Sequence, residues 1–562
     1  MRQQCERSEE SAEGPGLLPV ARSVASRGAG IPAPPAPRPA RRTQIDRNAL
    51  HLRRPLNAPT AACSLGPGEY DIAPHHHDTP DPAARNRGAG MTRVVIAGGG
   101  IAGLSIARAI NRRDPGVEVV VLERSPRTGG NIRTEHIDGY ICEAGPDGFL
   151  DNAPATLALV RAIGLESRLL PSHDAARKRY IVRRGRLCEV PASVGAFLKT
   201  PLLSARGKLR IACEPFVMRH HDADESIHEF ASRRIGHEAA SVLVDPMVAG
   251  IFAGDASALS LRACFPRMWQ LEEDHGGLFR GLLAMRRARR RDDTPGAPSG
   301  RLTSFTGGMA DLIDALTREL GAAIHTSTPV MDLCQRNPIA IGHRVPSARR
   351  YAVRTPNDSI DADAVVLSGP ATESAAILRG IDPLLATVLQ GIPTAPLAVV
   401  CLGYDAPAIA SQCKLDGFGF LVPRSEGIRI LGALWETSIY QNRAPANKAL
   451  LRVMIGGAMD RQGASLPDDE LLGIVRRDLA WTMGLSVAPE FVRIIRHPRG
   501  IPQYVKGHLA RVHQIDALLE RHPGLYLAGN SYRGVSINSC IAEADRVAET
   551  VFQQLATCQP AA

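Results

Sequence analysis

Six residues, Gly98-Gly99-Gly100-Ile101-Ala102-Gly103, constrain this chain more than any other feature. An apolar run, Arg93-Val94-Val95-Ile96-Ala97, leads into them, and a stretch with helical character follows as far as Arg113. A second apolar run, Val117 to Leu122, then ends in Glu123, 20 residues beyond Gly103. Strand, tight turn, helix and strand in this order make a dinucleotide-binding unit. Gly98 permits the turn, Gly100 lets main chain approach a pyrophosphate, and Gly103 lets the helix lie close on the strand. The positive end of that helix faces the phosphates, and Glu123 is placed to accept hydrogen bonds from ribose hydroxyls.

The chain has 562 residues, enough for two or three packed regions, and at 44% apolar and 22% charged it reads as a soluble globular protein. The first 90 residues stand apart. They hold 13 of the 42 prolines and show no helical or strand period, so disorder is expected there. They contain no apolar core of a secretory signal, and Glu6, Glu9, Glu10 and Glu13 argue against a transit peptide. Met91 lies just before the first strand, so the extension reads as dispensable or as an upstream start. His75-His76-His77 falls in this segment and is a weak metal candidate; no metal is expected.

Net charge is +10, to which the first 90 residues contribute 12 Arg against 9 acids. The mildly basic body suits an anionic substrate or an anionic membrane surface. Its bases are dispersed and aromatics are only 4%, which excludes a nucleic-acid footprint. Eleven cysteines without a CxxC pair indicate neither a zinc site nor a disulfide framework, and suggest a reducing compartment. No stretch approaches the ~20 apolar residues of a spanning helix.

The glycine unit alone does not choose between nicotinamide and flavin dinucleotides. Two further segments bear on that choice. Arg124-Ser125-Pro126-Arg127-Thr128-Gly129-Gly130-Asn131-Ile132-Arg133-Thr134 puts a glycine pair and cations directly after the second strand, where main chain can pass an extended ligand. Near the other end, Gly524 to Asn530 reads as a short buried strand, followed by Ser531–Ile537 and a helix from about Asn538 to Thr550. Nucleotide-contacting segments at both ends of the body imply one domain built from both, with another inserted between them. Flavoproteins of two domains have that arrangement.

On these residues the chain from Met91 to about Val551 resembles the flavin-containing amine oxidase superfamily. Within it, Gly250-Ile251-Phe252-Ala253-Gly254-Asp255 with Leu259–Pro266, Gly417–Pro423, and the closing Ala528–Cys540 segment resemble the porphyrinogen oxidases in particular. The resemblance implies an α/β fold: a Rossmann-like FAD-binding domain assembled from residues 91–176, 301–370 and 505–555. An inserted α+β substrate domain would take 177–190 and 371–504, and a helical lobe resting on a membrane 191–300, with helices over Ser204–Val217, Ser226–Gly236, His237–Ala249 and Gly276–Arg291.

The resemblance further implies non-covalent FAD, with Gly98, Gly99, Gly100, Ile101, Ala102 and Gly103 at the pyrophosphate and Glu123 at the adenosine ribose. Arg124, Gly129, Gly130, Asn131 and Arg133 would flank the ligand. Gly145, Pro146, Asp147 and Gly148 would lie near the isoalloxazine, Val330 would meet adenine through a strand edge, and Asn530, Val535, Ser536 and Ile537 would touch ribityl and ring. Some relatives carry Arg where Asp147 stands, and a carboxylate beside a reduced flavin would be repelled. Asp147 is therefore expected to turn outward or to act through its main chain. Arg179 would pair with a substrate propionate, Gly250 would face the macrocycle, and Phe418, Leu421 and Tyr440 would wall the pocket.

The activity implied is oxidation of protoporphyrinogen IX by molecular oxygen, with hydride passing to the flavin and no protein acid or base assigned. Coproporphyrinogen III as substrate, or a flavin-free prenyl-binding chaperone of the same fold, are the alternatives. A cytoplasmic protein, peripheral at the membrane face, is expected, and a homodimer is compatible with it.

Overall fold

A computed structural model describes residues 91–220, 224–291, 300–336 and 349–557. The expected disorder of residues 1–90, the histidine triplet and most of the loop before Gly300 lie outside the described residues.

Five strands form a wholly parallel sheet in the order Ile324–His325, Glu118–Leu122, Arg93–Ala97, Ala364–Leu367 and Leu525–Leu527. Its members come from both ends and the middle of the body of the chain. Alternation sorts the side chains: Val94 and Ile96 face one core with Leu104, Leu316 and Val547, while Val95 and Ala97 face another with Tyr351, Leu378 and Ile515. A parallel sheet buried on both faces needs such near-continuous apolar strands. The helices Ile101–Arg113, Ala310–Leu320 and Ile537–Thr557 supply the first cover. The second comes from Ala371–Leu378, Pro383–Gln390 and His508–Leu519.

A second, seven-stranded sheet runs Phe491–Pro502, Thr394–Asp405, Lys448–Gly456, Ile430–Trp435, Gly419–Leu421, Tyr180–Arg183 and Arg186–Glu189. All its pairings are antiparallel except that of Gly419–Leu421 with Tyr180–Arg183. That one parallel pairing brings the strand after Arg179 to the segment containing Phe418 and Leu421.

The region from Val194 to Arg291 is helical, with boundaries that differ from the sequence expectation. The helix expected over Ser204–Val217 stops at Ala212, and a single 3-10 turn, Glu214–Phe216, follows because Pro215 cannot continue the α ladder. The helix expected to end at Ala249 runs on to Phe252. Between His237–Ala239 and Asp245–Phe252 it widens to a π turn over Ala240–Val244, next to Pro246, whose nitrogen has no proton to donate. The helix expected from Gly276 begins at Leu278, and the C-terminal one extends from Ile537 to Thr557. Val330 lies in no strand: it precedes Asp332–Gln335, and the neighbouring Thr328 N–H donates to the Glu123 carbonyl at 2.8 Å.

The contact on which the first sheet turns is at Gly103. A Cβ there would run into the Gly98 carbonyl oxygen and come 2.6 Å from Ser368 Oγ. That hydroxyl itself donates to the carbonyls of Ala97 at 3.1 Å and Gly98 at 3.0 Å. Gly103→Val therefore either pushes the helix off the strand or is not tolerated. The expected cost is at the upper end of, or beyond, the ~1–3 kcal/mol typical of overpacking. Thermal denaturation beside a Gly100→Ala control, where a Cβ meets nothing within 4 Å, checks this: only the Gly103 variant should lose stability.

Candidate functional site

The turn after Arg93–Ala97 is pinned from three sides. Gly98 N–H donates to the Leu122 carbonyl at 2.8 Å, Gly129 N–H to the Gly99 carbonyl at 2.7 Å, and Gly99 N–H to Glu123 Oε2 at 2.8 Å. Gly98 has φ +116°, which only glycine adopts without strain. A Cβ on Gly100 would meet open space, and one on Gly130 only the Gly100 Cα, at 3.5 Å. The two glycines thus frame one open cradle. Above it stands the N-terminus of Ile101–Arg113, with no side-chain cap and no acid in its first turn. Its first N–H groups have no intrahelical acceptor and favour an anion. Ala102 and Gly103 are buried behind this edge.

Glu123 is buried, and its other oxygen accepts from the Ser125 N–H at 2.8 Å. The two backbone bonds fix the carboxylate and leave each oxygen a lone pair for a ribose hydroxyl. The nearby cations are not free. Arg124 pairs with Glu373 at 2.5 Å and Arg133 pairs with Glu135, while Asn131 Nδ2 donates to the Gly500 carbonyl at 3.3 Å. Arg127, not singled out from the sequence, clamps the glycine turn by donating to the carbonyls of Thr128 at 2.9 Å and Gly130 at 2.8 Å. Open glycines, unsatisfied helix N–H groups and an oriented carboxylate fit the pyrophosphate and ribose of a dinucleotide.

At the C-terminal side, Tyr504 holds the loop that closes the site. Its hydroxyl donates to the Asn530 carbonyl at 2.6 Å and accepts the Gly534 N–H at 2.8 Å, and its ring stacks on His508 with centroids 4.0 Å apart. Ser536 Oγ accepts the Ser539 N–H at 3.1 Å and so caps the last helix. Val535 packs partly buried against Leu259 and its neighbours, and the Ile537 side chain is buried in the core. Contacts of Ile537 with a ligand could therefore involve only its main chain.

The Gly145–Gly148 segment departs most from expectation. Gly145 crosses close over the Asn131 carbonyl, where no Cβ would fit. Asp147 does not turn outward: it is 7% exposed and lies among Glu143, Glu436, Tyr440, Arg443 and Arg452, all buried. Arg452 Nε lies 2.8 Å from Glu436 Oε1, and its Nη1 donates to the carbonyls of Glu143 at 3.1 Å and Gly145 at 2.7 Å. The Arg443 guanidinium sits 4.8 Å over the Tyr440 ring and donates to Ser304 Oγ at 2.7 Å. Glu143 accepts from Met309 N–H at 2.7 Å and from Thr134 Oγ1 at 2.8 Å. Burial nevertheless pushes its carboxyl up to about 7, with Arg443 opposing. Burial and then the Asp147 charge hold the Glu436 carboxyl well above the usual range. Arg452 and Arg443 offset part of the negative charge that Asp147, Glu143 and Glu436 bring inside.

Of the residues expected at a substrate, the structure brings four together in two pairs. The Arg179 guanidinium lies over the Phe418 ring at 5.1 Å, and the Leu421 side chain fills the space beside Gly250, where a Cβ would meet it at 2.7 Å. Tyr440 is fully buried and belongs to the Asp147 cluster instead. Removing one charge from that cluster leaves carboxylates without compensation. Arg452→Met should cost about 3–5 kcal/mol at neutral pH. The loss should shrink as pH falls, because protonating Glu436 removes the uncompensated charge; equilibrium denaturation at two pH values reads both effects.

Comparison with known proteins agrees with this geometry. Residues 101–552 match the model of the flavin containing amine oxidoreductase family. The Bacillus subtilis coproporphyrinogen III oxidase is 31% identical over 80% of this chain and 96% of its own. The Bos taurus protoporphyrinogen oxidase is 32% identical over 82% of this chain and 98% of its own. A solved structure from Exiguobacterium superposes with a TM-score of 0.70 at 26% identity, covering 84% of this chain and all of the other. The Brevibacterium oxydans cyclohexylamine oxidase shares the fold alone, with a TM-score of 0.59 at 17% identity. With most of its length matched, and its glycine cradle and buried acid in place, this chain belongs to the flavin containing amine oxidoreductase family.

Proposed function

We propose that this chain is an FAD-dependent oxidase of porphyrinogens, converting protoporphyrinogen IX to protoporphyrin IX with molecular oxygen as the final acceptor. The observation that carries the reading is an intact dinucleotide cradle in a chain that aligns over 82% of its length with a protoporphyrinogen oxidase. A bound flavin would supply the two-electron redox chemistry, three rounds for each macrocycle, with molecular oxygen as the final acceptor.

The protein's part is to hold and orient. Gly98–Gly103 and the first turn of the Ile101–Arg113 helix take the pyrophosphate, and Glu123 takes the ribose. Arg127 keeps Gly129 and Gly130 in the open turn that lets the dinucleotide pass, with Arg124, Asn131 and Arg133 at its flank. Val330 lies beside the adenine. Asn530 and Val535–Ile537 close over the ribityl and ring through main chain positioned by Tyr504. On the substrate side, Arg179 stands at the exposed rim, pre-oriented by the Phe418 ring, and pairs with a propionate. Gly250, with Leu421 against it, gives the apolar wall a flat place for the macrocycle. These elements make up a cofactor domain and an inserted substrate domain, joined by the helical lobe between Val194 and Arg291.

That lobe is where contact with an anionic membrane would be made. Of 18 exposed large apolar residues among those described, 11 lie between Val194 and Leu283, including Phe216 at 83% and Met218 at 86%. The Leu278–Arg291 helix carries Phe279, Leu282 and Leu283 outward and ends in a basic run. Each basic residue near an anionic surface adds about 1 kcal/mol. Among the described residues no helix is long and apolar enough to cross a membrane, so the contact would be peripheral, at the cytoplasmic face. Flotation should carry the protein with anionic vesicles and not with neutral ones; protein left wholly in the soluble fraction would count against it.

A second reading has equal standing in one respect: the Bacillus relative is a coproporphyrinogen III oxidase. Offering both porphyrinogens in parallel and following porphyrin fluorescence separates the two. Protoporphyrinogen IX should turn over faster; rates equal to the no-protein control for both would refute the reading. Arg179→Met should raise KM by about tenfold or more with kcat little changed, the signature of lost ground-state binding.

A further inference from the structure

The buried cluster holds more carboxyl groups than its arginines can neutralise. Asp147, Glu143 and Glu436 face Arg443 and Arg452, and all five are more than nine-tenths buried. Glu143 has donors of its own in Met309 and Thr134, and Arg443 beside it. Asp147 has no such partner: both its carboxyl oxygens are shielded from solvent and no hydrogen bond reaches either. Glu436 is equally shielded and is faced only by the Arg452 guanidinium, whose Nε lies 2.8 Å from Oε1. The two carboxyls face one another closely enough to hydrogen-bond once one of them carries a proton. A third group points the same way. The Tyr440 hydroxyl is buried without a partner, and a Cβ on Gly148, next to Asp147, would meet it at 2.6 Å. Burial and then Asp147 and Glu436 keep that hydroxyl un-ionised.

We propose that Asp147 and Glu436 share one proton in the resting protein, and that the pair takes up a second when the bound cofactor is reduced. The inference rests on the FAD reading above and extends it to residues that no sequence motif assigned. With one proton on the pair, the cluster balances: Glu143 and the singly protonated pair each carry one negative charge, against Arg443 and Arg452. Such a neutral cluster lies directly behind the Gly145–Gly148 main chain. Two electrons delivered to the cofactor with one proton add a negative charge in a site of low dielectric, and the field favours protonation of the nearest buried carboxylate. The proton comes from solvent, with the Tyr440 hydroxyl as the unpartnered group at hand to pass it. An O–H bond forms on the carboxylate, nothing leaves, and reoxidation by oxygen returns the proton. Asp147 and Glu436 act here through charge, as positioning residues for the reduced cofactor, and do not touch the substrate.

Two measurements test this, neither of them turnover. Infrared spectra of the flavin-stripped protein at about pH 8, above the value of about 7 at which Glu143 titrates, should show a protonated-carboxyl band. Both Asp147→Asn and Glu436→Gln should abolish it, because with either carboxyl gone the two that remain are balanced by Arg443 and Arg452 without a shared proton. A lone protonated glutamic acid would lose the band only in Glu436→Gln, and that result overturns the sharing. In weakly buffered holoenzyme reduced with dithionite, once the protons released by dithionite oxidation are subtracted using a free-flavin blank, the wild type should take up about two protons per electron pair and each variant about one; equal counts overturn the uptake. Should Asp147→Asn fail to fold, Glu436→Gln carries the proton count, and Glu436→Asp should restore both the band and the second proton. A purified wild type that carries no flavin would refute the functional reading itself, and the uptake with it. A flavin-bearing wild type with unchanged counts refutes the uptake alone.

Discussion

The close approach of one helix to one strand governs the rest of this molecule. Because Gly103 has no side chain, Ile101–Arg113 settles against the Gly98 carbonyl, and its free N–H groups come to rest over a cradle framed by Gly100 and Gly130. The same approach orders the strands: Ser368, at the end of the next strand but late in the chain, bonds back to Ala97 and Gly98 and ties the middle of the sequence to its start. The open face of the cradle is thus a consequence of packing.

Charge is handled differently around the glycine cradle and behind the Gly145–Gly148 segment. Around the cradle, cations are tied to acids or carbonyls: Arg124 to Glu373, Arg133 to Glu135, Arg127 to the glycine turn. The positive potential offered to a phosphate then comes mainly from the helix end. Behind the Gly145–Gly148 segment the balance is reversed, with carboxyls outnumbering arginines in a place that water does not reach. Taking charges out of water is costly, and such clusters seldom add stability compared with apolar packing.

Much of this was legible in the sequence, for identifiable reasons. Val94–Leu122 reads correctly because a strand buried on both faces must be apolar throughout, and the glycines that follow serve backbone geometry that no other residue supplies. Helix ends in the Val194–Arg291 region were misjudged where proline acts on the ladder, at Pro215 and Pro246, since local periodicity does not reveal where a turn tightens or widens. That the Asp147 side chain stays inside instead of turning outward is not legible locally, because the arginines of its cluster, Arg452 and Arg443, lie some 300 residues away in the chain. A signal did exist: an arginine in the middle of Lys448–Gly456, an otherwise apolar central strand, requires a buried acid. Tyr504 left no such mark, because its hydroxyl serves main-chain groups that any sequence would possess.

The central claim is that a flavin held between the two ends of this chain draws electrons directly from a porphyrinogen. Anaerobic mixing of the flavin-bearing protein with one equivalent of protoporphyrinogen IX tests it most directly. The yellow absorbance should bleach in a single phase and return on admission of oxygen. Absorbance that stays unchanged while the substrate remains bound and intact would contradict the account.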